Sequence, residues 1–391
     1  MTGARRIYLD NAATTRPLPA VVDAIARAQL ELFGNPSSQH AFGPPARKAL
    51  DDAREFLRGT LGAARLVFTS GGSEADQLGI VGSAAARPPG RVLMAQSDHP
   101  ALLQCQGLLA RWRHHVTALP VTAHGDLAPE TLFDALGQDV RVVALLHGHN
   151  ELGTLCQLGE LVELVRRTAP SAHVHVDLVQ TYGKLPFDLD ELDVDSVAVS
   201  GHKFHGPRGA GFLALSSTAE LAPLLLAGGQ EGGLRGGTEN TPGAIGMMVA
   251  ADAALSHQAE TAAHTEALAA RVFERVQEAL PDAVRLGHPT RRLPHILSLR
   301  LPGIVGQTVM ERCDDRGVAF SIGSACHGGD DHGPGNPVLA AIGLDRHAAR
   351  EVVRLSFCRD TTAADADTAA RILVEEALRL RDLAPRGAGQ R

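Results

Sequence analysis

The sequence predicts an α/β protein built on a largely parallel β-sheet, followed by a smaller α+β domain. Three observations support this fold class. Short apolar runs rich in β-branched residues alternate with helix-like stretches over the first two thirds of the chain. Most of these runs are apolar throughout, as in strands that helices cover on both faces. Near residue 258 the alternation gives way to long helical stretches.

The predicted elements follow from this pattern in chain order. Predicted strands of the large domain cover residues 65–69, 91–95, 141–146, 173–176 and 195–199, with helices at 46–57 and 158–167 between them. The smaller domain has predicted helices at 258–280 and 363–383 and predicted strands at 296–301 and 354–357. We therefore assign residues 1–257 to the large domain and 258–391 to the small domain. The first 20 residues are expected to pack with the small domain, and the tail after Pro385 to be disordered.

Composition excludes several classes of protein. The 391 residues are 44% hydrophobic and 21% charged, which is ordinary for a globular protein. A net charge of −7 without a cluster of basic residues argues against nucleic-acid binding. The longest apolar runs, such as 221–227, fall short of the roughly 20 residues of a membrane helix. No apolar signal core follows the N-terminus, so a cytoplasmic protein is expected. Five cysteines without a C-x-x-C pair predict neither a disulfide framework nor a structural zinc site.

Polar residues follow the ends of all five strands that are predicted for the large domain. In open α/β sheets, ligands bind beyond the carboxyl ends of the strands. Each polar group alone could be a turn or a helix cap, but together they predict one crevice. The groups are Gly71-Gly72-Ser73, Asp98-His99, His149-Asn150-Glu151, Asp177 with Gln180, and Ser200 to Lys203.

These residue types suggest a phosphate and a carbonyl group in the ligand. Gly72 and Ser73 precede a helical stretch, and a helix N-terminus offers backbone N–H groups to a phosphate. Lys203 could be a counter-charge for that phosphate, or it could form a Schiff base with a carbonyl cofactor. Asp177 is a candidate partner for a protonated ring nitrogen.

Short motifs recur in a fixed order over about residues 7–375. They are YLDNAATT (8–15), GNPSS (34–38), FTSGGSE (68–74), NELG (150–153), HVDLVQ (175–180), SGHK (200–203), GGQE (228–231), GTEN (237–240), GSAC (323–326) and RLS (354–356). In this order they resemble the cysteine desulfurase and selenocysteine lyase family, within the class V, fold-type I enzymes that use pyridoxal phosphate (PLP). Each motif is weak alone, but the ordered set is specific.

The resemblance implies a fold-type I transferase with a mainly parallel sheet of seven strands, a PLP cofactor and a homodimer. Lys203 would bind the cofactor as a Schiff base and later move protons. Asp177 would pair with the ring nitrogen, Gln180 with the ring oxygen, and His99 would stack on the ring and assist proton transfer. Further cofactor contacts, most of them to the phosphate, are implied for Gly72, Ser73, Asn150, Ser200, His202 and, from the neighbouring subunit, Thr238. The substrate carboxylate would be held by Arg354 with Asn35 and Asn150.

Cys326 is the implied nucleophile. Glycines surround it, which suggests a loop that can approach the cofactor, and the thiolate is the reactive form of cysteine. A buried structural thiol is the alternative for Cys326, and structural roles are expected for the other four cysteines. Residues 326–332 also contain Cys, His and Asp, but without a second ligand cluster no metal site is predicted.

The leading prediction is a cysteine desulfurase that converts L-cysteine to L-alanine and passes the sulfur, held on Cys326 as a persulfide, to an acceptor protein. A selenocysteine lyase is the alternative, since the segments at 201–204, 237–242 and 325–327 are similar to those of lyases. Two further hypotheses stay open: an enzyme of class V with another reaction, and an inactive dimer that serves as a scaffold. The sequence departs from the family at Asp98, His149, Leu178 and Val179, and the last two are expected beside the cofactor ring.

Overall fold

The computed structural model describes residues 6–226, 228–322 and 336–383. Its strands are β1 (Ile7–Tyr8), β2 (Arg65–Thr69), β3 (Arg91–Ala95), β4 (His115–Leu119), β5 (Val140–Leu146), β6 (His173–Asp177), β7 (Ser196–Ser200), β8 (Gly211–Leu215), β9 (Val284–Arg285), β10 (Ile296–Arg300), β11 (Val318–Ala319) and β12 (Val352–Ser356). The tail after Pro385 and Cys326 lie outside the described residues.

The helices are numbered α1 to α14 in chain order. They are α1 (Pro19–Glu31), α2 (Gly43–Gly59), α3 (Gly72–Gln77), α4 (Ser83–Ala85), α5 (Pro100–Leu103), α6 (Gln106–Arg111), α7 (Pro129–Ala135), α8 (Leu158–Thr168), α9 (Thr241–Ser256), α10 (Gln258–Ala279), α11 (Gly306–Asp315), α12 (Pro337–Ala341), α13 (Arg346–Ala349) and α14 (Ala363–Leu383). A π-helical turn at Leu78–Gly82 joins α3 to α4. None of the helices in the described ranges is both long and apolar enough to cross a bilayer.

The central sheet has seven strands in the order β2-β8-β7-β6-β5-β3-β4. Neighbours from β7 to β4 are parallel, and β8 runs antiparallel to both β7 and β2. Because β2 is separated from β7 by two antiparallel steps, it regains the direction of the parallel strands. The predicted mainly parallel sheet is therefore confirmed. Two of its strands, β4 and β8, were not predicted from the sequence.

Both faces of the sheet are covered, which explains the continuous apolar runs. Along β3, Leu93 belongs to the apolar cluster that includes Leu161 and Val165 of α8. Its neighbours Val92 and Met94 belong to a different cluster. That cluster on the opposite face draws on the π-helical turn, α5 and α6. Successive side chains of a strand alternate between faces, so each strand contributes to two separate cores.

A further core lies in the carboxyl-terminal part. The antiparallel sheet β12-β10-β9 packs with α10, α11 and α14 around one apolar cluster, which Leu9 joins from the start of the chain. β1 pairs in parallel with β11, and the Asn11 amide donates to the carbonyl of Ser356 at 2.8 Å. The N-terminal segment therefore contacts this part of the molecule. The division into domains at residue 257 stays a prediction.

One buried carboxylate ties α2 to the central sheet. Both oxygens of Glu231 accept hydrogen bonds from the guanidinium of Arg54, at 2.6 and 2.9 Å, and one also accepts from the Phe68 amide at 2.9 Å. The Glu231 side chain is 2% exposed. Removing one partner from such a buried pair leaves the other charge uncompensated, which is costly.

We expect Glu231→Ala to lower the free energy of unfolding by about 3 kcal/mol, because Arg54 and the Phe68 amide lose their acceptor. Urea denaturation followed by circular dichroism measures the effect. The matched control is Asp52→Ala, which removes the exposed Lys48–Asp52 pair and should cost less than about 0.5 kcal/mol. Equal losses in the two variants would contradict this account.

Candidate active site

A cavity of about 250 Å³ opens at the carboxyl ends of the central strands. Nine residues predicted from the sequence line it, together with Asp76, Leu146 and Val179. The nine are Gly72, Ser73, His99, Asn150, Asp177, Gln180, Ser200, His202 and Lys203. The predicted crevice is therefore a real feature of the fold.

Strand direction explains this convergence. Asp177 and Ser200 are the last residues of β6 and β7, and His99 lies four residues beyond the end of β3. Gly72 begins α3 directly beyond β2, which runs in the same direction as β7. All these segments leave the sheet at the same edge, where open α/β sheets bind ligands.

Gly72 is positioned by close packing at the start of the helical run. A Cβ atom there would lie 2.7 Å from Cγ2 of Val179 and 3.3 Å from Cβ of Ser200. Only glycine fits so close to these side chains. Ser73 follows in the first turn of α3, so the glycine brings a helix N-terminus to the cavity wall. This arrangement is suited to a phosphate group.

The amine of Lys203 is held by main-chain carbonyls of the N-terminal segment. Nζ donates to the oxygens of Ala12 at 2.7 Å and Ala13 at 2.9 Å. Nε2 of Gln180 donates to the same Ala12 oxygen at 2.9 Å. Oε1 of Gln180 is buried and has no hydrogen-bond partner in the described structure. Buried polar atoms are nearly always satisfied, so an acceptor left open at a cavity fits a site that a ligand completes.

Asp177 is a buried carboxyl at the wall of the cavity. It is 3% exposed, and one oxygen accepts from the Val179 amide at 2.7 Å. Within the described ranges, no Lys, Arg or His nitrogen forms an ion pair with it. Burial raises the pKa of Asp177 well above its usual value, and the charge of Asp76 raises it further. A protonated ring nitrogen in the cavity would supply the missing positive charge.

His99 caps helix α5 and is neutral. Its Nδ1 accepts from the Ala101 amide at 3.1 Å, so Nε2 carries the proton of the neutral ring. Burial, aided by the charge of Lys203, lowers the pKa of His99 to about 4. The imidazole therefore offers one N–H donor at the cavity wall near neutral pH.

Arg354 on β12 is joined to the cavity through Asn150. Its Nη2 lies 2.7 Å from Oδ1 of Asp10, and its Nη1 donates to the main-chain oxygen of Asn150 at 3.0 Å. Nε is buried without a partner in the described residues. The guanidinium is thus oriented by two fixed acceptors, while its Nε–H is left without an acceptor in the described residues.

Arg354 is not among the residues that line the cavity, and two further predicted site residues of the described chain, Asn35 and Thr238, do not line it either. Asn35 is exposed, and its side-chain oxygen accepts from the Ser37 amide at 2.8 Å in a local turn. Thr238 is also exposed, and its predicted role concerns a neighbouring subunit. Cys326 lies outside the described residues. The roles assigned to Asn35, Thr238 and Cys326 stay predictions.

Comparison with known proteins identifies the family of this chain. The model of the aminotransferase class-V family matches residues 7–368. This chain belongs to that family. A cysteine desulfurase of Trichormus azollae is 37% identical over 386 residues, covering 97% of this chain and 94% of the relative. The predicted resemblance is therefore confirmed, and both the family and these relatives imply PLP as the cofactor.

Solved structures agree with this assignment. A NifS-like protein superimposes with a TM-score of 0.87 at 31% identity, covering 95% of this chain and 98% of the other. A structure described as SspA in complex with cysteine gives a TM-score of 0.78 at 30% identity, covering 91% and 99%. The class V aminotransferase fold therefore extends over nearly the whole chain.

Sequence reasoning missed a row of buried polar side chains in this member of the class V family. Asp76, 1% exposed, lines the cavity, and its Oδ1 lies 3.2 Å from Nε2 of His175. Nδ1 of His175 and Nε2 of His173 both contact Oγ of Ser196, at 2.8 and 2.7 Å. The signal was the alternation in HVHVD, which puts both histidines and Asp177 on one face of β6.

Val179 and Leu178, two departures from the family pattern, lie in different surroundings. Val179 lines the cavity, as expected, whereas Leu178 belongs to the apolar core. The expectation that Leu178 lies beside the ring is therefore not met, because the two neighbouring side chains project in different directions.

His149, another departure from the family pattern, is buried in a turn, where Nε2 lies 2.9 Å from the Ser97 oxygen and Nδ1 accepts from the Glu151 amide.

Asp98 is a turn residue with an unusual titration. Oδ2 accepts from the Ala95 amide at 2.8 Å, so the side chain caps the turn before His99. Burial raises the pKa of Asp98 to about 8, with a smaller contribution from the charges of Asp177 and Asp76. A raised pKa means that the folded protein holds this proton more tightly than the unfolded chain. The resulting stability is complete below about pH 3.8 and is lost as pH rises through 8.

We expect Asp98→Asn to be nearly neutral below about pH 4 and to become progressively more stable than the wild type up to about pH 8, since asparagine keeps the acceptor without ionising. The difference in unfolding free energy should change by up to about 1.4 kcal/mol per pH unit between pH 4 and 8. Urea denaturation at several pH values measures it, and Ser97→Ala should retain the wild-type slope. Parallel curves for Asp98→Asn and wild type would contradict the buried, protonated carboxyl.

Proposed function

We propose that this protein is a PLP-dependent cysteine desulfurase that converts L-cysteine to L-alanine and transfers the sulfur to Cys326. The observation that carries this proposal is the cavity in which Lys203, Asp177 and His99 meet beside a helix N-terminus. Relatives named cysteine desulfurase that match 97% of the chain support it. The neighbour solved in complex with cysteine supports the same substrate.

The residues around the cavity fit the parts of PLP one by one. Gly72, Ser73, Ser200 and His202 would hold the phosphate, and Asp177 the protonated ring nitrogen. Gln180 would meet the ring oxygen, and His99 would pack against the ring. When bound, PLP supplies an electron sink that weakens the bonds at the α-carbon of an amino acid.

Lys203 and Arg354 would handle the substrate at its two ends. The Lys203 amine would hold the cofactor in the resting enzyme and take up the proton that leaves the substrate α-carbon. Arg354 would bind the substrate carboxylate through N–H groups that Asp10 and Asn150 leave unused, its Nε among them. Asp10 and the Asn150 carbonyl fix the orientation of the guanidinium.

The four cysteines in the described part of the chain are poor candidates for the nucleophile, which supports Cys326 in that role. Burial raises the pKa of Cys105, Cys156 and Cys313 to about 12 and also raises that of Cys358. These four stay protonated near neutral pH, and the thiolate is the reactive form. The Cys326 thiolate would attack the substrate sulfur, forming an S–S bond while the Cβ–S bond breaks. The electron pair stays with the carbon skeleton, which gains protons and leaves as alanine.

A homodimer and a sulfur-acceptor protein belong to the same proposal. Leu224, Leu225 and Leu226 are exposed, and a bridge between Leu225 and Arg235 holds them beside the segment with Thr238. Covering this apolar patch with a second subunit would bring Thr238 to the partner's phosphate. A cytoplasmic location agrees with the reduced thiols that the reaction requires.

The test is alanine release from L-cysteine by the PLP-loaded protein. We expect alanine from the wild type, a loss of at least 100-fold in Cys326→Ala, and retained activity in the matched control Cys156→Ala. Alanine release from L-selenocysteine is measured in parallel. Alanine from selenocysteine alone would replace the proposal with a lyase, and alanine from neither substrate would overturn it.

A further inference from the structure

The loop 228–240 leads from the exposed leucines 224–226 to α9 and contains Thr238, which the proposed dimer presents to its partner. The main chain of this loop is joined to the leucines. Leu225 forms a bridge with Arg235, and the Gly236 amide donates to the Leu225 carbonyl at 2.9 Å. The apolar patch and the position of Thr238 therefore belong to one hydrogen-bonded unit.

The side chain of Arg235 joins this loop to the wall of the proposed cofactor cavity. Its Nε donates to Oε1 of Glu74 at 2.9 Å. The other carboxylate oxygen of Glu74, Oε2, accepts from the Ser70 amide at 2.6 Å. Gly72 and Ser73, which line the cavity, lie between these two residues in the chain. Glu74 thus closes the turn that would hold the phosphate and connects it to Arg235.

Two further contacts fix the same loop to the segment 68–75. Glu231 has a φ of 50°, which a residue with a side chain rarely adopts, and its carboxylate accepts from the Phe68 amide at 2.9 Å. Such a conformation persists where surrounding contacts hold it. Leu234 packs against the apolar cluster that includes Ala75. The loop and the segment 68–75 therefore move as one unit or not at all.

The ion pair between Arg235 and Glu74 is partly shielded from water. The two side chains are 23% and 27% exposed, and salt screens such a pair less than a fully exposed one. Burial would raise the pKa of Glu74, but the hydrogen bonds from Arg235 and Ser70 outweigh it and the pKa is lowered. Glu74 is therefore ionised near neutral pH, and both partners carry their charge.

We propose that the Arg235–Glu74 pair couples association of the subunits to binding of the cofactor. The inference rests on the proposed function, in which Gly72 and Ser73 hold the phosphate of PLP and Thr238 reaches that of the partner. A second subunit on the leucine patch fixes the loop, and the ion pair passes this constraint to the turn 70–74. Arg235 and Glu74 are positioning residues, since neither lines the cavity.

Coupling of this kind is reciprocal. PLP must tighten the dimer by the same factor by which association tightens the binding of PLP. If the ion pair only stabilised the local fold, its loss would weaken the dimer equally with and without PLP. The ratio of the two dissociation constants of the dimer would then stay unchanged. This ratio therefore separates a coupling role from a purely structural one.

The experiment measures the dissociation constant of the dimer by analytical ultracentrifugation, in cofactor-free and in PLP-loaded protein. We expect PLP to tighten the wild-type dimer by about tenfold or more. In Arg235→Met and in Glu74→Gln this factor should fall by about threefold, in keeping with the small energy of one partly exposed ion pair. The double variant should lose no more than either single variant, because both remove the same interaction.

Two further variants serve as controls. Arg235→Lys keeps the charge and should retain most of the factor. Arg91→Met removes a partly buried ion pair with Asp139 at the start of β3, away from the cavity, and should retain all of it. An unchanged factor in both Arg235→Met and Glu74→Gln would overturn the inference, and so would additive losses in the double variant.

A second measurement covers variants whose dimer is too weak for the first. PLP is titrated at protein concentrations below and above the dissociation constant of the wild-type dimer. The wild type should bind PLP more tightly at the higher concentration, and Arg235→Met should lose most of this dependence. A wild type that binds PLP without any effect on association would overturn the inference and leave the desulfurase proposal intact. A wild type that binds no PLP would overturn both.

Discussion

The Ala12 carbonyl accepts hydrogen bonds from Lys203 and Gln180, which connect the N-terminal segment to the loops that follow the central strands β6 and β7. The segment around Ala12 is also bound to the carboxyl-terminal part, where β1 pairs with β11 and the Ala12 amide donates to Oγ of Ser356 at 2.8 Å. Arg354, on the same strand as Ser356, is oriented by Asp10 from this segment. One stretch of chain therefore sets the distance between the group that would hold the cofactor and the group that would hold the substrate.

The electrostatics around the site follow one rule. Five groups, Asp76, Asp98, Asp177, His99 and Lys184, all have their pKa shifted toward the neutral form, and loss of contact with water is the largest cause in each case. Buried charges are expensive unless they are paired. A cofactor with a negative phosphate and a positive ring nitrogen would supply the missing partners. These five groups therefore favour their neutral forms in the folded protein.

Much of this site was predictable because it depends on strand ends. Gly72, His99, Asp177 and Ser200 follow apolar runs directly, and parallel strands bring such positions to one edge. The family motifs then assigned roles to them. By contrast, Asp76 and His175 lie inside elements that read as an ordinary helix and an apolar strand. Their significance appears only when the helix packs on β6.

The position of Lys184 and His295 near Lys203 could not be predicted from the sequence for a related reason. They are more than 100 positions apart in the chain and meet Lys203 only because the loop after β6 packs against the loop before β10. No local pattern signals such a meeting. Leu178 shows the opposite error, since its position next to Asp177 in the sequence suggested contact with the ring, yet its side chain turns into the core.

The account depends most on Lys203 as the residue that binds PLP. Borohydride reduction of the PLP-loaded protein followed by peptide mass spectrometry tests this directly, because reduction fixes the cofactor to its lysine. With only three lysines in the chain, the outcomes are few. The account predicts that the pyridoxyl group is found on the peptide with Lys203. A pyridoxyl group on Lys184 or Lys48, or on no lysine, would contradict it.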